Sequence, residues 1–166
     1  MLSTFDICEN IYILDESYIN ASSSLAQNLF SKLAVLELCG WIEQSMDDII
    51  RECYIRILGN NYHNEIEVII QKTHGFDYKK CFRPMLIQIT GLKDIENLED
   101  SFDLAKFLKL KSTLGELKKV RGKYAHTHHT EEDKTPIDSP SRTETKIKPI
   151  FEGLQEIDEV FKKLRY

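Results

Sequence analysis

One long apolar stripe constrains this chain more than any other feature. In "SLAQNLFSKLAVLELCGWIEQSMDDIIRECYIRIL", residues 24–58, Leu38, Ile42, Met46, Ile49, Cys53 and Ile57 recur at steps of three and four. That spacing puts side chains on one face of an α-helix. A long helix is expected here, with this face in the core. Glu37 and Trp41 lie four residues apart and off the stripe, with Gly40 beside them. Two readings stand open for Trp41: a second contact surface, or burial of the helix on two sides within one bundle.

Shorter helical patterns surround this element. "FDICENIYILDESYI" is expected as a helix or an extended segment, and Ser22, Ser23 and Ser24 offer N-caps for the long helix. Gly59, Asn60 and Asn61 end it, "NEIEVIIQKTH" resumes a short helix, and Pro84 and Gly91 bracket "PMLIQIT". Leu104, Phe107, Leu108, Leu114, Leu117, Val120 and Tyr124 mark another amphipathic run, and Ile150, Leu154, Ile157, Phe161 and Leu164 a closing one. Between them, residues 127–146 are polar and contain Pro136 and Pro140, so a flexible loop is expected there. Nothing alternates at period two for more than a few residues. The expectation is a single all-α domain over residues 1–166, an up-and-down bundle of about five to seven helices.

No stretch approaches the roughly 20 apolar residues that span a bilayer, and no basic segment precedes an apolar one at the N-terminus. A cytoplasmic protein without membrane contact is therefore expected. Cys8, Cys39, Cys53 and Cys81 form no CxxC pair and read as reduced core residues. Charge is distributed unevenly. The net charge is −5, and residues 1–70 carry three basic side chains against eleven acidic ones. Between Ala105 and Ala125 seven basic residues face the single acid Glu116. A local positive field inside an acidic protein is suited to phosphate groups.

The densest potential chemistry is "VRGKYAHTHH", residues 120–129. His126, His128 and His129 suggest a metal, but a structural zinc site needs about four ligands and a catalytic one about three. Only Glu131, Glu132 and Asp133 follow closely, in a segment expected to be flexible, so no metal or other cofactor is expected. Nucleophile elbows and phosphate-binding glycine loops are absent. Arg121 and His126 remain, with Lys118, Lys119 and Lys123 around them. An arginine offers a forked, permanent donor for phosphate oxygens, and a histidine exchanges a proton near neutral pH. The competing reading is a basic last turn that complements the helix dipole.

"RGKYAH" resembles the R-x4-6-H motif of the HEPN superfamily, placed near the end of a late helix in an all-α bundle. "LELCGWIEQSMDDIIRE" is similar to the long first core helix of the RiboL-PSP-associated HEPN subgroup. The resemblance implies a metal-independent endoribonuclease, a toxin or phage-defence effector, with RNA as substrate. It implies a homodimer in which two motifs meet, with an antitoxin or nucleotidyltransferase as further partner. Arg121 and His126 would then be the catalytic pair. Lys118, Lys119 and Lys123 would bind substrate backbone, and Glu37 and Tyr124 would support the pair, Glu37 by orienting Arg121. Gly122 stands where such nucleases place Asn, Asp or His after the arginine. The alternative is a non-catalytic HEPN module that binds nucleotides or a protein partner.

Overall fold

The computed structural model describes residues 2–59, 63–130 and 137–163, and every regular element among them is helical. In chain order these are α1 (Phe5–Ile19), α2 (Ser24–Leu58), α3 (His63–Gln71), a π-helical turn (Tyr78–Phe82), α4 (Arg83–Thr90), α5 (Leu92–Glu99), α6 (Leu104–Ala125), α7 (Pro140–Glu144) and α8 (Ile147–Lys163). Seven of the α-helices have eight residues or more, so the chain is an all-α bundle as its periodicity predicts. Among the described residues no helix is long and apolar enough to cross a membrane.

α2 is the central element and packs against α1, α3, α4, α6, α7 and α8. The Ser23 hydroxyl caps its start by accepting from the Ala26 N–H, and Gly59, at φ 72°, takes up the left-handed turn that ends it. Leu38, Ile42, Met46, Ile49 and Cys53 are buried as the stripe requires, and Ile57 packs against them half-buried. Cys39, Ile50 and Tyr54 are buried as well, so the helix is covered on more than one side. Trp41 takes part in this inner packing. It lies against the core, and its indole N–H donates to the Ser3 carbonyl at 3.0 Å, which pins the N-terminal segment onto α2. α1 is helical, with Ile7, Ile11 and Leu14 buried.

Three local differences separate the structure from the sequence reading. α5 follows α4 directly, turning on Gly91 at φ 91° and burying Ile95 and Leu98. The segment 127–146 is only partly a loop: α7 lies within it, and Ile137, Pro140 and Thr143 are buried. Ser139 caps α7, Pro140 fills its first turn, and the Ser141 N–H donates to Asp15 at 2.9 Å, so packing against α1 and α2 orders a segment that is polar by composition. Residues 131–136 of that segment, and Leu164 of the last apolar stripe, lie outside the described residues. On α6, Leu104 and Leu108 are exposed, and the buried face consists of Leu110, Thr113, Leu114, Leu117 and Tyr124. α8 approaches this face closely, since a Cβ added at Gly153 would lie 2.6 Å from the Leu110 Cβ.

Candidate phosphate-binding site at the end of α6

α2 and α6 run antiparallel, so the C-terminal end of α6 comes alongside the first half of α2. Two polar contacts fix this register. Arg121 Nη1 donates to Glu43 at 2.7 Å, and Lys32 Nζ donates to the Thr127 carbonyl at 2.8 Å, just past the end of α6. The Arg121 guanidinium also lies over the Phe76 ring at 5.7 Å, with Gly75 close by. A carboxylate on one side and a ring on the other hold the fork in one orientation. The pair is only partly covered, with side-chain exposures of 39% for Arg121 and 30% for Glu43. One of the five guanidinium N–H groups suffices for the Glu43 bond, and the others take no hydrogen-bond partner among the described residues.

Glu43 was not singled out by the sequence, which offered Glu37 as the carboxylate for Arg121. Six helical residues separate the two, which is about 120° around α2 and about 9 Å along it, so both cannot face α6. Glu37 instead accepts from the Asn10 side chain at 3.4 Å and lines a groove of about 450 Å³ between α1 and α2, shared with Asp6, Gly40 and Trp41. Farther along α2, Asp47 is half-buried and its carboxyl is pushed up to about 6. Burial is the main cause, with Glu43 among the neighbouring acids that add to it and Arg51 opposing. Cys39 lies close enough to feel both Arg121 and Glu43, yet burial pushes its thiol up to about 12, so it is no nucleophile at neutral pH.

His126 is the C-cap of α6 and is exposed. No hydrogen bond or ion pair joins it to Arg121 among the described residues, as expected for positions about 140° apart on a helix. The two functional groups therefore flank the last turn of α6. Tyr124 is buried, and its ring takes an edge-on contact from His129 at 6.3 Å, so it anchors the turn between them. His128 is exposed. Among the described residues no three His, Cys, Asp or Glu side chains are grouped to hold a metal ion, and Glu131, Glu132 and Asp133 lie outside them.

The three lysines differ. Lys119 and Lys123 are exposed, whereas Lys118 donates to Asp77 at 2.7 Å and, as the main cause, holds that carboxyl below its usual range. No family model matches the chain, and neither does any curated protein or any solved structure.

Proposed function

We propose that the chain is a metal-independent endoribonuclease of the HEPN type, a cytoplasmic toxin or phage-defence effector acting as a homodimer. The observation that carries this reading is the pairing of a fixed, partly exposed arginine with an exposed histidine across the last turn of a basic helix. The RNA supplies the nucleophile: its 2′-oxygen attacks the adjacent phosphorus, the 5′-oxygen of the next nucleotide leaves, and a 2′,3′-cyclic phosphate remains. His126 moves a proton to or from the reacting oxygens, a contribution of roughly 10²–10⁴-fold. Arg121, oriented by Glu43, holds the phosphate and offsets its developing charge. Lys119 and Lys123 add backbone affinity, and an antitoxin or nucleotidyltransferase would restrain the activity.

A second reading, a non-catalytic nucleotide- or protein-binding module, is favoured by Gly122 and by the Glu43 bond that phosphate must share or displace. Purified protein incubated with total RNA in EDTA separates the two. The expected result is cleavage by the wild type and none by His126→Ala. An inert wild type, with cleavage gained by Gly122→Asn, supports the second reading; a Cβ at position 122 meets nothing within 4 Å, so the helix has room for the substitution.

A further inference from the structure

A groove runs along α6 away from Arg121. Lys111, Gly115, Lys118 and Gly122 recur at helical steps on one face of α6, and residues 75–79 and the π-helical turn run beside that face. Near Arg121 its wall is Gly75 and Phe76, and farther along it is Asp77 bonded to Lys118. Beyond that bond the surface opens into two adjoining grooves, of about 200 Å³ and about 420 Å³, which share Tyr78, Lys79 and Lys111. Gly115 lines the first, and Arg83, Glu99 and Phe107 line the second. Lys111 is ten residues from Arg121, about 15 Å along the helix.

Three of the cations here are held in place, Lys118 by its bond to Asp77. Lys111 Nζ sits 4.8 Å from the Phe107 ring centre and 5.9 Å from that of Tyr78. Arg83 forms a two-pronged bond to Glu99 at 2.8 and 2.9 Å, and the Tyr78 hydroxyl donates to the same carboxylate at 2.8 Å. Burial raises the Glu99 carboxyl, but the bonds from Arg83 and Tyr78 outweigh it and keep the group ionised. Among the described residues that line these grooves, Lys79, Arg83, Lys111 and Lys118 stand against Asp77 and Glu99, with Glu96 also near enough to act on Arg83, in a protein whose net charge is −5. Ordering cations before a ligand arrives lowers the cost of binding one.

We infer that this groove between the π-helical turn and α6 tracks the phosphate backbone of single-stranded RNA flanking the nucleotide held at Arg121. The inference rests on the nuclease reading for the identity of the polyanion. A positive groove leading to a phosphate-binding arginine serves a strand rather than an isolated phosphate. Tyr78 is buried, and Lys111 lies over the half-buried Phe107 ring, so the groove binds backbone without stacking bases and has little sequence preference.

The test is fluorescence anisotropy with a labelled, uncleavable 2′-O-methyl decanucleotide, titrated at several salt concentrations. Lys79→Ala/Lys111→Ala is expected to weaken binding roughly tenfold at low salt and to reduce the slope of log K against log salt by about 1.4, or about 0.7 per phosphate contact. Gly115→Glu is expected to weaken it comparably; the helix accepts that side chain, because a Cβ there meets nothing within 4 Å. Lys148→Ala, on exposed α8 surface, should bind as the wild type does. Wild-type affinity and slope in both groove variants would overturn the proposal, as would equal loss in Lys148→Ala or equal binding of a duplex. Groove-dependent binding by a protein that cleaves no RNA would leave the groove standing and remove the nuclease reading. Cleavage with groove-independent binding would do the reverse.

Discussion

At the scale of single residues, Arg121 is worth more to chemistry than to stability. Its pair with Glu43 is exposed enough that solvent screens it, so Arg121→Lys should change stability by less than about 1 kcal/mol. The same change removes the planar fork and should lower RNA cleavage at least roughly tenfold; thermal melts and cleavage assays on one preparation check both. Asp47 offers a separate test. Its carboxyl, pushed up to about 6 when folded, binds its proton more tightly than in the unfolded chain. Its contribution to stability is therefore complete below the usual aspartate range and is lost as pH rises to about 6 and beyond. Asp47→Asn should raise the melting temperature at pH 8 by about 2–4 °C, as ~1 kcal/mol does in a chain of this size, and by much less at pH 4. An equal shift at both pH values would show that Asp47 titrates normally.

At the scale of helices, close approach between α6 and α8 depends on Gly153. Gly153→Ala forces a Cβ to within 2.6 Å of the Leu110 Cβ, so it should cost about 1–3 kcal/mol despite the better helix propensity of alanine. Gly40→Ala, in open space on α2, should stabilise by about 0.5–1 kcal/mol. Denaturant midpoints distinguish them. The α2 stripe was legible in the sequence because one helix face repeats from Leu38 to Ile57, roughly five turns, whatever packs on it. The start of α7 was missed: Ser139 caps it and Pro140 fills its first turn, but the polar composition around them read as a loop. α5 hid behind Gly91, which ends one helix and begins the next. Glu43 had no local signal. Its partner is 78 positions away, and only the antiparallel register of α2 and α6 distinguishes it from Glu37. The groove was half legible: the lysines of α6 stood out, whereas the π-helical turn that forms the opposite wall has no sequence mark.

At the scale of the whole molecule, an acidic first half packs against a basic late helix, and the end of that helix is left accessible. A homodimer is expected, and light scattering at micromolar concentration and physiological salt should return twice the 19.4 kDa chain mass; a monomer would contradict that part of the proposal. The central claim is that Arg121 and His126 direct an RNA's own 2′-oxygen against its phosphate. The most direct measurement uses an oligodeoxynucleotide with one internal ribonucleotide, incubated with the protein in EDTA, its products weighed by mass spectrometry. The account predicts a single cut on the 3′ side of the ribonucleotide, leaving a 2′,3′-cyclic phosphate and a 5′-hydroxyl, and no cut with His126→Ala. Cleavage at deoxynucleotides, or products ending in 3′-hydroxyl and 5′-phosphate, would contradict it.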